Sequence, residues 1–232
     1  MNDADFSESE LQMISAAKAI ASEAHEGQVR TIANGATEPY VNHPMRVARF
    51  VLHRFGALVS DDMSVVAAAV LHDVLEDCPA DQEGRYYERI YHECGVRAAG
   101  YTDLMSKPRD RAFRNKRYKA RLLTGPPAVM LIKLADRIDN LEGVRHAGWA
   151  PRRLQAYAAD SADLYRIACA MPLRKQAAWL HAALLDLGGW YRDEHKDDLL
   201  PRDGKEDQET LQAQGVHPAP GEPGLSRKMD EG

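Results

Sequence analysis

Seven apolar residues in a row, Val65-Val-Ala-Ala-Ala-Val-Leu71, run straight into His72-Asp73-Val74-Leu75-Glu76-Asp77. A helix that is apolar on every side has to lie at the centre of a fold, enclosed by other elements. Four ionisable groups at its end should then be unwelcome, because burying a charge costs several kcal/mol unless it is paired or bound to a metal. The i, i+4 pairs His72/Glu76 and Asp73/Asp77 stack one turn apart, so all four can line one pocket. The bland alternative is a solvated acidic helix end. The His-Asp dipeptide alone does not decide, since 9 His and 20 Asp in 232 residues make about one such pair by chance.

Helical periodicity extends along the chain, and no stretch of six or more residues alternates apolar with polar between turn residues. The fold class expected is all-α. A first helix is capped by Ser7 or Ser9, carries Leu11, Ile14, Lys18, Ala21 and Ala24, and stops at Gly27. A polar loop, 27–39, leads to a second helix with Pro44 in its first turn and Met45, Val47, Ala48, Val51, Leu52 and Phe55 on its inner side. The central helix runs from Met63 to Asp77. Further helices are expected over 85–94, 113–123, 128–141, 152–170 and 173–187, punctuated by Gly95, Pro108, Pro126-Pro127, Pro151 and Pro172.

A hydrophobic content of 44% and a charged content of 28% are those of a globular chain. No apolar run approaches the roughly 20 residues of a membrane span, and the acidic start Met1-Asn-Asp-Ala-Asp lacks the form of a secretory signal. The expectation is a cytoplasmic protein that does not bind membranes. Cys78, Cys94 and Cys169 have neither zinc-site spacing nor disulfide density and read as reduced thiols. The last 38 residues hold four Pro, five Gly, nine acids and five bases without one aromatic, which predicts a disordered polar tail over 195–232 behind one domain over 1–194. That tail carries −4 of the overall −5 charge. With the remainder near neutral, nucleic acid is not an expected partner.

Two further segments bear on the central helix. Val129-Met-Leu-Ile-Lys-Leu-Ala-Asp136-Arg-Ile-Asp-Asn140 is strongly apolar and embeds Asp136 on its buried side, with Asn140 one turn on. Asp136 could be no more than half of an ion pair with Lys133 or Arg137. His43 enters the second helix just before Pro44 and would alone be a capping or core histidine. Together, His43, His72, Asp73 and Asp136 form a nitrogen and oxygen donor set suited to one Mn²⁺, Fe²⁺ or Zn²⁺, with positions left open for water and substrate.

The order His43, His72-Asp73, Asp136 resembles the HD-domain metal phosphohydrolases. Tyr40-Val-Asn-His-Pro44, Ala69-Val-Leu-His-Asp-Val-Leu-Glu-Asp77 and Leu131-Ile-Lys-Leu-Ala-Asp-Arg-Ile-Asp-Asn-Leu141 are similar to the hydrolase domain of RelA/SpoT proteins. With Gly148-Trp149 and the helix through Tyr157, they are most similar to the small stand-alone alarmone hydrolases of the metazoan type. The resemblance covers about residues 8–190. It implies a helical HD bundle with a mononuclear Mn²⁺ site between central helices, and removal of the 3′-pyrophosphate from the guanine nucleotide (p)ppGpp.

By motif position, the resemblance makes His43, His72, Asp73 and Asp136 the metal ligands, Glu76 and Asp77 the catalytic acids, and Asn140, Arg30 and Tyr157 substrate contacts. Glu142 departs from the pattern, standing where the family usually has Arg or Thr. Residues 107–121 hold eight bases and one acid, a local +7 able to steer a phosphate ligand, and Lys107 at its start is a further candidate contact. Rival expectations are a phosphatase for another nucleotide, such as ppApp or NADPH, and a non-catalytic alarmone-binding module. The intact acids Glu76 and Asp77 favour an enzyme.

Overall fold

The computed structural model describes residues 6–32, 35–107, 114–144 and 148–187. The polar segment expected over 195–232, and residues 108–113 of the basic stretch, lie outside these. Among the described residues the chain forms nine helices and one short hairpin. Helix α1, Glu8–Ala24, is closed by a capping box: the Glu10 backbone N–H donates to the Ser7 hydroxyl, and the Glu10 side chain accepts from the Ser7 N–H. It turns Ala17, Ile20 and Ala21 inward. Leu11 and Lys18 are exposed, so the inner face lies about one position round from the one that periodicity suggests.

The loop expected over 27–39 contains two three-residue strands, β1 (Val29–Thr31) and β2 (Thr37–Pro39), paired antiparallel with Arg30 opposite Glu38. A ladder this short carries no alternation for a sequence pattern to reveal. The helices α2 (Asn42–Val59), α3 (Ser64–Leu71) and α4 (Val74–Asp77) follow. All eight residues of α3 are buried, and α3 packs against α1, α2, α5 (Glu83–Met105) and α7 (Pro127–Val144). It is the central helix expected from its composition, with one correction: the helix is interrupted at His72 and Asp73 and does not continue unbroken to Asp77.

The end of the expected 85–94 helix is real in its backbone. Gly95 sits at φ 87° inside α5, a left-handed conformation that glycine adopts without steric cost, and a second helical stretch continues to Met105. The elements α6 (Arg114–Thr124), α8 (Pro151–Ala170) and α9 (Arg174–Leu185) complete the bundle, and α8 carries Pro151 in its first turn. Among the described residues Cys78, Cys94 and Cys169 form no disulfide. No helix among the described residues is long and apolar enough to cross a membrane. The break after α3 and the buried face of α7 meet at the start of α2.

Candidate metal centre

Three elements bring the charged residues of the core together. His43 comes from the first turn of α2, where its N–H donates to the Tyr40 carbonyl at 3.0 Å. His72 and Asp73 come from the break between α3 and α4, and Asp136 from the middle of α7. His43 and His72 are each 1% exposed and Asp136 is 3% exposed, so this is a polar cluster inside an apolar bundle. One donor atom each from His43, His72 and Asp73 lie within 4.8 Å of one another, a grouping able to hold a metal ion. Asp136 Oδ1 joins them, 3.2 Å from His43 Nε2 and 3.6 Å from His72 Nε2.

The orientation of each ring is fixed from behind. His72 Nδ1 is 2.9 Å from the Ala69 carbonyl, which can only accept, so Nδ1 carries the proton and Nε2 turns its lone pair to the cluster. That Nε2 is buried and makes no hydrogen bond, although Asp73 Oδ2 is 3.1 Å away. A buried nitrogen lone pair aimed at two carboxylates without a partner is what a cation ligand looks like before the cation binds. The donor set therefore fits a divalent ion of the nitrogen- and oxygen-loving kind. His43 Nδ1 is 2.7 Å from Asp139 Oδ2, and its Nε2 also faces inward.

The carboxylates are held as well. The Tyr40 hydroxyl donates to Asp73 Oδ2 at 2.7 Å. Lys133 Nζ donates to Asp136 Oδ2 at 2.6 Å, and the Asn140 amide donates to Asp136 Oδ1 at 2.5 Å. The ion pair weighed above for Asp136 is thus present, but it engages the outer oxygen and leaves Oδ1 to the cluster. Burial pushes both acids up, yet their neighbours prevail, the His72 imidazole beside Asp73 and the Lys133 ammonium beside Asp136, and both carboxyls are held below their ordinary range. Burial pulls the imidazoles down. The surrounding carboxylates outweigh it and raise both, the signature of a site with excess negative charge.

Glu76 and Asp77 lie one turn further on, in α4. Glu76 accepts from the Lys107 backbone N–H at 3.3 Å and from Lys107 Nζ at 3.4 Å. Burial, reinforced by the charge of Asp73, raises the Asp77 carboxyl above its ordinary value. On the α7 side, Arg30 reaches over from β1 to Asp139 Oδ2 at 3.4 Å and to Asn140 Oδ1 at 3.3 Å. Gly143 lets it lie there, since a Cβ at that position would come within 3.1 Å of the Arg30 guanidinium. Tyr157 is turned to other work: its ring packs beneath Arg137 at 4.3 Å and edge-on against Trp149 at 5.5 Å, and burial pushes its hydroxyl up to about 12.

Residues 17–170 match the HD domain. The chain belongs to the HD-domain family. Among its relatives is the zebrafish (Danio rerio) guanosine-3′,5′-bis(diphosphate) 3′-pyrophosphohydrolase MESH1, 33% identical over 141 residues, which cover 59% of this chain and 73% of that protein. The human protein of the same name is 30% identical over 159 residues, 64% of this chain and 80% of its own length. The guanosine-3′,5′-bis(diphosphate) 3′-pyrophosphohydrolase of Haemophilus influenzae is 30% identical over 191 residues, 79% of this chain. This HD-domain chain spans only 25% of that bacterial relative. A solved structure, described as a metazoan ortholog of SpoT that hydrolyzes ppGpp, superposes with a TM-score of 0.62 at 22% identity over 76% of this chain and 96% of its own, which shows the fold.

Two residues with evident parts in this site were given none in the sequence reading. Tyr40 and Asp139 both stand inside the quoted motifs. For Asp139 there was a signal, since it lies three residues after Asp136 on the same helix and so shares its face. For Tyr40 there was none, because its partner Asp73 is 33 residues away.

Proposed function

We propose that this chain is a metal-dependent hydrolase that removes the 3′-pyrophosphate from (p)ppGpp, giving GDP or GTP and pyrophosphate. The observation that carries the reading is the inward-facing, unpartnered Nε2 of His72 in a cluster of two buried imidazoles, the buried Asp136 and the half-buried Asp73. The activity named for the MESH1 relatives, most of whose length this chain covers, supplies the substrate. His43, His72, Asp73 and Asp136 hold one divalent ion. Mn²⁺ is the ion the family resemblance favours, and the same donors accept Zn²⁺ or Fe²⁺. Such an ion lowers the pKa of a bound water and neutralises charge on phosphate oxygens.

In the reaction the bond between phosphorus and the ribose O3′ breaks, the water oxygen joins phosphorus, and O3′ leaves with a proton. Asp77, with its raised carboxyl, is suited to hold that proton and deliver it to O3′. Glu76, fixed by Lys107, accepts the proton lost by the water. Arg30 and Asn140 receive the diphosphate or its ribose, and Lys107 adds positive charge on the opposite side. Tyr157 contributes through Arg137, whose guanidinium stacks on its ring.

The test is to incubate the purified full-length chain with Mn²⁺ and, separately, ppGpp, pppGpp, ppApp and NADPH, and to identify the products. Pyrophosphate and GDP from ppGpp are expected. Orthophosphate in place of pyrophosphate overturns the bond assignment. Activity on NADPH alone moves the chain to a different substrate class, and binding of ppGpp without turnover makes it a sensor.

A further inference from the structure

His43 and His72 offer the same atom to the cluster, but different groups stand behind them. Behind His72 is a neutral carbonyl, that of Ala69 in α3 just before it. Behind His43 is a carboxylate from another helix, Asp139 of α7, with Oδ2 at 2.7 Å from Nδ1. That carboxylate is itself clamped: Arg46 donates through Nε to Oδ1 at 2.6 Å and through Nη2 to Oδ2 at 3.2 Å. Arg46 in turn donates twice to Glu38 on β2, at 2.8 and 3.0 Å. Asp139 Oδ2 also receives Arg30, at 3.4 Å.

We propose that Asp139 is a positioning residue that sets the metal affinity of the centre by acting through His43. The proposal rests on the reading that His43 is a metal ligand. A carboxylate on Nδ1–H holds the ring in the tautomer that leaves Nε2 free, fixes its orientation, and makes Nε2 a stronger donor than a carbonyl partner does. Asp139 lies 96 residues from His43 in sequence, and the packing of α7 against α2 brings its carboxylate behind the His43 ring. The Glu38–Arg46 clamp holds the carboxylate in place, so the His43 ring is oriented before any ion arrives. Asp139 touches neither the cluster's centre nor a reacting atom in this role.

The experiment titrates metal-stripped full-length chain with Mn²⁺ in competition with a chelating indicator, with circular dichroism and melting temperature recorded on each variant. Asp139→Ala is expected to weaken Mn²⁺ binding by roughly 10- to 100-fold, the scale of lost outer partners of metal-bound histidines. Asp139→Asn keeps an oxygen that can accept from Nδ1–H, and is expected to bind more tightly than the Ala variant and more weakly than wild type. Arg46→Met removes the clamp and leaves the carboxylate, and should lose less affinity than Asp139→Ala. Wild-type affinity in Asp139→Ala overturns the proposal, as does an equal loss in Arg46→Met, which would place the effect in local folding. Should the Ala variant not fold, the Asn variant decides: weaker binding supports the proposal and unchanged binding overturns it. A wild-type chain that binds no Mn²⁺ removes the metal reading itself, and this inference with it, whereas wild-type binding with an unaffected Asp139→Ala removes the inference alone.

Discussion

The two sides of the site are held with different firmness. Around the four clustered residues the supporting contacts are short: 2.6 Å from Lys133 to Asp136, 2.7 Å from Tyr40 to Asp73, 2.7 Å between His43 and Asp139, and 2.9 Å between His72 and the Ala69 carbonyl. The two cations on the side assigned to substrate make long contacts: 3.3 and 3.4 Å for Arg30, and 3.3 and 3.4 Å for Lys107. Those two cations are also 15% and 30% exposed. The donors proposed for the ion are thus oriented in advance, while the cations proposed for phosphate rest on the protein's own side chains through contacts that a phosphate oxygen can replace. Short charged hydrogen bonds are the stronger ones, so exchange costs least where the contacts are long.

That contrast can be broken most severely at Asp136. Asp136→Ala is expected to remove bound metal and turnover together, and to leave the buried Lys133 ammonium without its carboxylate, at a stability cost of about 3–5 kcal/mol. Metal analysis, activity and thermal melting on one sample check all three. Next in size, Glu76→Gln and Asp77→Asn should lower turnover by roughly 10²-fold or more with metal content and fold intact. Wild-type turnover in both, singly and combined, would show that neither acid manages a proton.

A milder change sharpens the other side. Arg30→Ala should raise KM for the nucleotide by roughly tenfold or more, the scale of a lost hydrogen bond to a charged group. Metal content should not change, and a loss of metal would show that the two sides are not separate. The smallest effect concerns pH. Hydrogen bonds from Arg46 hold the Glu38 carboxyl below its ordinary value of 4.5 despite its partial burial. A carboxyl lowered in the folded state stabilises it above that ordinary value, and the contribution is lost as pH falls through the folded value. The metal-free protein should therefore melt at lower temperature as pH drops below 4.5, and Arg46→Met should flatten part of that slope.

The helical elements were legible because their signals are local: the apolar run of α3, Pro151 opening α8 and Gly95 interrupting α5 each act within a turn of themselves. The hairpin of β1 and β2 was not, since three residues a strand fall below any periodic pattern. The gathering of His43, His72, Asp73 and Asp136 could be suspected from the cost of burying charge, which depends on residue type and local burial alone. What stands behind those residues could not. The Asp139 carboxylate on His43 and the Tyr40 hydroxyl on Asp73 are contacts across 96 and 33 residues, set by how the chain around α2 packs against α7 and against the end of α3, and a helix-face rule sees only one partner of each pair.

The claim on which everything else depends is that one divalent ion sits among those four residues. A crystal of the full-length chain grown with Mn²⁺, with diffraction measured on both sides of the manganese absorption edge, tests it directly. The account predicts one anomalous peak bonded to His43 Nε2, His72 Nε2 and the carboxylates of Asp73 and Asp136. A peak elsewhere, or none at the cluster with Mn²⁺ in excess, would contradict it.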